Sequence, residues 1–426
     1  MFVCVRLWLT NMRFKTLTEW LSWQEQLNPK EIELGLGRIS TVWSQMHPAG
    51  LQCPVITVAG TNGKGSSVAL LDALLRTAGY RTGCYTSPHF FRYNERIKIN
   101  GDETCDQRLC ESFDRIDHSR NNLPLTYFEY STLAALDLFI AAELDVVILE
   151  VGLGGRLDAV NMIDADAALI TTISMDHMDW LGDDLEQIGR EKAGIMRCGK
   201  PVVFSGGTPQ SVIDMADEVG AELYLVDRDY QYTTENSGCW HWWSDSKSYH
   251  KLPQPALLGR FQKQNAAAVI MLLNTLKDQL SISEEAIQTG LQKVSLMGRF
   301  QQIEGRVPTY LDVAHNPEAA LALRDNLLSQ PADGPLYAVF SMLKDKEIET
   351  VVTIMSTIID TWFIAPLGLD RGATVEKMNE AISVHTDKIS CSVSITNAFA
   401  MAQQRIPLDG RVIVFGSFFT VAEALT

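Results

Sequence analysis

The chain has 426 residues, 46% of them hydrophobic and 21% charged, which exceeds one ordinary core and implies roughly two to three domains. Thirty-six Lys and Arg stand against 52 Asp and Glu, a formal charge of -16 with no long basic run, so general nucleic-acid binding is disfavoured and any polyanion must be met locally. The 8 cysteines are scattered and form no C-x-x-C pair, which reads as reduced thiols in a cytosolic chain and argues against structural zinc.

The opening run, MFVCVRLWLTNMRF, is short, contains Arg6 and lacks a small-residue cleavage site. It reads as a start-site extension before Met12 rather than a secretory signal. No window holds the ~18 consecutive apolar residues of a membrane span. Short apolar runs then alternate with amphipathic ones: Val55 to Ala59 before a helical Ser66 to Ala78, Val146 to Val151, Ala167 to Ile173, and Pro201 to Phe204 before Pro209 to Val219. That alternation predicts a parallel sheet covered by helices. Tyr230 to Lys251 carries alternating aromatics around Asn236, Ser237 and Gly238, predicting a β-hairpin. Stacking on a single-stranded nucleic acid would need a basic track that Lys247 and Lys251 alone do not make. Helices follow at Lys263 to Leu280 and Ser283 to Val294, and apolar runs resume at Tyr310 to Val313, Tyr337 to Phe340, Thr361 to Ile364 and Val412 to Phe415. The expected fold is therefore α/β: a P-loop-containing parallel-sheet ATPase domain over 1–296, then a smaller Rossmann-like α/β domain over 297–426.

The strongest chemical signal is Gly60-Thr61-Asn62-Gly63-Lys64-Gly65-Ser66 between a β-branched strand and a helix. Glycines let backbone N–H groups converge on phosphate oxygens, the helix start adds partial positive charge, and Lys64 supplies a mobile cation. The loop departs from G-x-x-x-x-G-K-[ST], since Thr61 and Asn62 alone separate Gly60 from Gly63, and Gly65 precedes Ser66. The bland alternative is an ordinary strand-to-helix turn. Glu150 ends an apolar strand beside Gly152, Gly154 and Gly155, the end of a parallel sheet at which ligands bind, so it is a candidate anion for a phosphate-bound divalent ion rather than a merely solvated carboxylate. The adjoining G-L-G-G-R lacks the third glycine of a dinucleotide fingerprint. His177 follows another strand and is either a metal ligand or structural. Lys192, by composition alone, is a surface lysine.

G-T-N-G-K-G-S, T-S-P-H at Thr86 to His89, L-T-Y-F-E-Y at Leu125 to Tyr130, L-E-V-G-L-G-G-R-L-D-A at Leu149 to Ala159, D-H at 176 and 177, E-K-A-G-I at Glu191 to Ile195, G-R-F-Q at Gly298 to Gln301 and D-V-A-H-N-P at Asp312 to Pro317 together resemble the folylpolyglutamate synthase family of the Mur ligase superfamily. Within it, L-T-Y-F-E-Y is most similar to the bifunctional dihydrofolate synthase and folylpolyglutamate synthase branch.

The resemblance implies an ATP-dependent ligase that joins L-glutamate to dihydropteroate and to the γ-carboxylate of reduced folates through an acyl phosphate. It implies triphosphate binding by Gly60 to Ser66, with Asn265, Arg299 and Asp312 at nucleotide-contacting positions. Magnesium would be held by Ser87, Glu150 and His177, and a second ion by Lys192 as a carbamate. Glu33, Leu34, Gly35, Thr126, Tyr127, Phe128, Glu129, Leu157, Asp158 and Ala159 match dihydropteroate-binding segments; Phe128 otherwise reads as core packing. Catalytic positions are Lys64, Lys192 and His315, the last two being candidates for the base that deprotonates the glutamate amine. Small-molecule partners only, a cytoplasmic monomer and no membrane are expected. Competing readings are a folylpolyglutamate synthase alone, another Mur-type amide ligase, which would normally need a further N-terminal domain, and a P-loop ATPase switch. Ser341 stands where relatives often have glycine, which questions the local turn.

Overall fold

The computed structural model describes residues 12–28, 30, 32–206, 209–235, 238–330 and 333–426. The leader before Met12 and the expected turn residues Asn236 and Ser237 lie outside them. The chain divides into two compact units, one holding the residues up to Ile173 with Asp179–Pro253 and Ala267–Leu291, the other Ser174–Met178, Gln254–Ala266 and Gln292–Thr426.

The first unit is built on an eight-stranded sheet of β1 (Val55–Ala59), β2 (Thr82–Tyr85), β3 (Ile97–Ile99), β4 (Asp102–Glu103), β5 (Val146–Glu150), β6 (Ala167–Ile170), β7 (Pro201–Phe204) and β8 (Glu222–Leu225), in the order β4-β3-β2-β5-β1-β6-β7-β8. From β2 to β8 along that order every pairing is parallel, while β3 and β4 add an antiparallel edge. Every residue of β1, β5 and β6 is buried, which explains their unbroken apolar sequences: a strand covered on both faces has no polar side. The helix Tyr127–Ile140 is buried continuously from Glu129 to Phe139, as its nearly all-round apolar sequence requires.

The segment expected to be a hairpin forms a three-stranded antiparallel sheet, β9 (Tyr230–Thr234), β10 (Trp240–Ser244) and β11 (Ser248–Leu252), in the order β11-β10-β9. Its alternation is packing: Trp240 and Trp242 are fully buried, and their indole N–H groups donate to Pro253 O and Ala267 O. With these rings turned inward, no stacking platform for nucleobases is presented by them.

The second unit holds a six-stranded sheet, β12 (Gln301–Ile303), β13 (Thr309–Asp312), β14 (Leu336–Phe340), β15 (Thr361–Ile364), β16 (Ile389–Cys391) and β17 (Arg411–Phe415), ordered β12-β13-β17-β14-β15-β16. Only β12 pairs antiparallel. Phe340, Trp362 and Phe415 pack edge-on or tilted at its centre, with centroids 4.9 to 6.0 Å apart. Ser341 is fully buried there, and its carbonyl accepts the Thr420 hydroxyl at 2.7 Å, so the turn after β14 is tied down despite the departure from glycine. No helix among the described residues is long and apolar enough to cross a membrane.

Candidate active site

The glycine-rich loop leaves β1 and enters the helix Lys64–Thr77 through Gly63, whose φ of 94° lies in the left-handed region. Gly60 has φ 138°, and a Cβ there would sit 1.7 Å from Thr171 Oγ1. Glycine is therefore demanded twice, once by conformation and once by the close approach of the β6 end. Thr61 N–H donates to Thr172 O at 2.7 Å, so residues just past β6 prop the loop from below. Lys64 Nζ donates to Gly60 O at 2.9 Å and Thr61 O at 3.1 Å. Lys192 Nζ reaches the same Gly60 carbonyl at 2.9 Å. Lys192 is only 4% exposed, which overturns the surface reading drawn from composition: its helix, Leu185–Ala193, turns this last-turn lysine into the sheet end. Two ammonium-bearing side chains thus converge on one loop carbonyl.

Glu150 ends β5, is buried, and accepts the Ser87 N–H on Oε2 at 3.1 Å. The strand end and the T-S-P-H segment are thereby joined, placing a hydroxyl residue beside a buried carboxylate. That oxygen-donor pairing suits a small hard cation. The chemistry of the donor set, an anion and a hydroxyl near a phosphate cradle, fits a divalent ion carried with a nucleotide.

The segments expected to hold a pterin also gather. Gly35 N–H donates to Leu157 O at 3.3 Å. Asp158 accepts from Gly152 and Leu153 N–H on one oxygen and from Val160 N–H on the other, all at 2.8 to 3.0 Å. Burial pushes its carboxyl up to about 6, against the pull of these N–H groups and of Lys64. The result is a rigid loop that presents Gly152 to Phe128: a Cβ on Gly152 would lie 2.6 Å from the Phe128 ring. Tyr85 flanks the same ring at 5.9 Å. Thr126 and Glu129 form a reciprocal capping box, and Arg38 bridges Glu33 at 3.0 Å and Glu129 at 3.2 Å. The carboxylates of Glu33 and Glu129 are thus engaged in structure and fix the backbone around Phe128.

In the second unit, His177 has φ 53°, an uncommon conformation for a non-glycine residue. Asp176 Oδ1 accepts the His177 N–H at 2.9 Å and the Lys346 ammonium at 2.6 Å, while Oδ2 faces His315 Nε2 at 3.6 Å. Burial alone would raise the Asp176 carboxyl, but His315, His177 and Lys346 outweigh it and hold the group far below the usual carboxylate range. His315 Nδ1 donates to Val313 O at 2.8 Å, which orients the ring. Asp312 accepts from Phe300 and Ala314 N–H, both at 2.8 Å; burial raises its carboxyl, opposed by Arg299. Arg299 lies over Phe418 at 5.3 Å, and Asn265 donates to Gln262 at 3.3 Å.

Models of two families match the chain: the Mur ligase middle domain over residues 58–273 and the Mur ligase glutamate ligase domain over residues 298–418. The dihydrofolate synthase/folylpolyglutamate synthase of Escherichia coli (strain K12) is 41% identical over 413 residues, covering 96% of this chain and 94% of that protein. The chain belongs to the dihydrofolate synthase/folylpolyglutamate synthase family. The Haemophilus influenzae relative of the same name is 39% identical over 442 residues, 97% of this chain and 99% of its own. The solved structure of E. coli FolC in complex with DHPP and ADP superposes with a TM-score of 0.92 at 40% identity, covering 96% of this chain and 97% of that one. A Yersinia pestis bifunctional folylpolyglutamate synthase/dihydrofolate synthase complexed with AMPPNP and Mn ion gives 0.89 at 43% identity, with the same coverage.

Within this family fold, the sequence reading left out several supporting residues. Arg38, Thr171, Thr172, Asp176 and Lys346 have no motif of their own chemistry. Asp176 was visible only as the partner of His177 in D-H, and Lys346 was not singled out. The first unit joins the phosphate loop, Lys192, Ser87, Glu150 and the pterin segments; the second joins His177, Asp176, His315 and Lys346.

Proposed function

We propose that this chain is an ATP-dependent acid–amino-acid ligase that adds L-glutamate to dihydropteroate, forming dihydrofolate, and to the γ-carboxylate of reduced folates. The observation that carries the reading is the glycine-rich loop on β1, with Lys64 and Lys192 both directed at Gly60 O, in a chain 41% identical to a bifunctional relative over 96% of its length. Residues 1–296 form the ATP-binding part and 297–426 the glutamate-ligase part of this reading.

ATP phosphorylates the substrate carboxylate, and the α-amine of glutamate displaces the phosphate to form the amide. The backbone N–H groups of Gly60 to Ser66 hold phosphate oxygens, and Lys64 turns from the loop carbonyls to meet the transferring charge. Asn265, Arg299 and Asp312 contact the nucleotide. Ser87, Glu150 and His177 hold magnesium, which supplies charge neutralisation when bound. Lys192 first loses its ammonium proton; the free amine then attacks carbon dioxide, its nitrogen forming the N–C bond and releasing a second proton. The resulting carbamate keeps one N–H for Gly60 O and offers an anion to a second ion. Phe128, Tyr127, Thr126 and Glu129, the Glu33, Leu34 and Gly35 segment, and Leu157, Asp158 and Ala159 shape the pterin seat. His315 or the carbamate takes the amine proton. The reading includes a cytoplasmic monomer that takes small molecules and no nucleic acid or membrane.

The test is the purified protein with ATP, magnesium and L-glutamate, plus either dihydropteroate or tetrahydrofolate, with products read by mass. Both products are expected. Polyglutamate alone would reduce the assignment to a folylpolyglutamate synthase, and phosphate release independent of pterin and glutamate would indicate an ATPase switch.

A further inference from the structure

Arg96 closes the 3-10 turn Tyr93–Arg96, and its carbonyl accepts the Thr86 N–H at 2.9 Å. It therefore lies one residue from Ser87. Its Nε donates to His89 Nδ1 at 2.8 Å, and a ring nitrogen that accepts carries no proton. The partner that fixes the guanidinium is therefore a neutral imidazole. The guanidinium carbon sits 5.6 Å from the ring centroids of both Tyr93 and Tyr127. Glu95, its neighbour in sequence, is occupied by the N–H groups of Phe90, Phe91 and Arg92, each at 2.7 Å.

Among the described residues, no carboxylate comes within ion-pair reach of Arg96, and its Nη1 and Nη2 groups donate to no protein acceptor. Packing on two tyrosines explains where the side chain lies. It does not explain why the fixed partner is a neutral histidine, when a carboxylate would satisfy the cation in a chain of charge -16. A guanidinium oriented by one neutral hydrogen bond and two aromatic faces keeps its paired donors for a planar anion. Its surroundings say which anion. Tyr127 begins the helix that carries Phe128, and Thr86 adjoins Ser87, so Arg96 borders both the pterin side and the phosphate side of the first unit.

We infer that the Nη groups of Arg96 receive the α-carboxylate of the terminal glutamate of a folate substrate, making Arg96 a specificity-determining residue for the second of the two reactions. The inference rests on the bifunctional ligase reading. Dihydropteroate has one carboxylate, and it is the one that reacts. A folate brings a second, separated from the reacting γ-carboxylate by the α-carbon and two methylenes, and that extra charge needs a partner which dihydropteroate does not use.

The experiment compares wild type, Arg96→Met and Arg96→Lys in full-length protein, with KM measured for dihydropteroate and tetrahydrofolate, and adds a folate analogue whose terminal α-carboxylate is a carboxamide. Arg96→Met is expected to raise KM for tetrahydrofolate by about ten- to a hundredfold, at least about tenfold more than it raises KM for dihydropteroate, and Arg96→Lys is expected to recover part of the loss. The carboxamide should be a poor substrate for wild type, with little further loss in Arg96→Met. Equal losses with both substrates would assign Arg96 to the reacting carboxylate or to packing and overturn the inference. So would a wild type that uses the carboxamide as well as the parent folate, a result that depends on no variant folding. A wild type that makes neither product refutes the ligase reading itself, whereas one that makes both while Arg96 shows no substrate split sinks this inference alone.

Discussion

Replacing Lys346 by Met should expose how much the second unit relies on the buried charge group around Asp176. The ammonium and carboxylate are 2.6 Å apart, with side chains only 8% and 9% exposed. At that separation the Coulomb attraction is about 6 kcal/mol at an effective dielectric constant of 20 and about 1.6 kcal/mol in bulk water. Desolvation of both ions opposes it, and a buried pair broken from one side typically costs about 3–5 kcal/mol because the other charge is stranded. His315 and His177 still face Asp176, so the lower end, about 3 kcal/mol, is expected. For a unit of this size that corresponds to a fall in its melting temperature of roughly 6–12 °C. The carboxyl is held below its ordinary value, so its own contribution is complete above the ordinary carboxylate range and is lost only in stronger acid. Adding Asp176→Asn to Lys346→Met removes the stranded charge and should recover much of the loss. The control is Arg324→Ala, which breaks a sequence-adjacent pair with 29% and 28% exposure and should cost well under half as much. Melting curves of the four proteins decide the matter. If Lys346→Met matches the Arg324→Ala control, or if the double variant is no better than the single, the charge group does not hold the turn.

Lys192→Ala should be poorly active and partly rescued by a small carboxylic acid in the buffer, whereas Lys192→Arg, a permanent cation, should not be rescued; intact-protein mass under bicarbonate should show one added carbon dioxide on wild type and none on either variant. Phe128→Ala removes a ring face worth roughly 1–3 kcal/mol by analogy with base stacking and should weaken dihydrofolate synthesis about tenfold or more, with a smaller effect on glutamate addition to folates. Equal losses in the two reactions, read from paired kinetics, would mean that Phe128 only packs. Asp158 has a raised folded-state pKa near 6, so the folded protein takes up this proton first, and the stability of wild type relative to Asp158→Asn should improve as pH falls from about 6 to about 4. Urea midpoints that move the other way would refute that sign.

Much of the sheet could be read from sequence because its central strands are covered on both faces. Val55–Ala59, Val146–Glu150 and Pro201–Phe204 are apolar runs bounded by turn residues, and no competing helix period disturbs them. The β11 strand was harder. Ser248–Leu252 buries only Tyr249 and Leu252, so its hydrophobic signal is weak, and its partner relation to β10 is set by Trp242, which reaches both Tyr230 and Tyr249. Local pattern reading registers the turn between two strands but not a third strand recruited by one large ring.

The candidate site divides along the same physical line. Gly60, Gly63 and Lys64 announce themselves because a tight turn on a phosphate loop restricts residue type at consecutive positions. Lys192 does not, since a lysine in the last turn of an amphipathic helix has the same sequence whether it faces water or Gly60 O; only the packing of Gly155 against the Lys192 backbone, where a Cβ would lie 2.9 Å from its carbonyl, draws that helix end inward. Lys346 and Asp176 are separated by 170 positions, and neither charge has meaning until the chain brings them to 2.6 Å. Residues whose chemistry depends on backbone shape can therefore be recognised one at a time, whereas residues whose chemistry depends on a buried countercharge can be recognised only as pairs. Arg96 is the informative exception: among the described residues it has an orienting histidine and two tyrosine rings but no carboxylate partner, and that is the ground on which a ligand carboxylate is proposed as the other half of the pair.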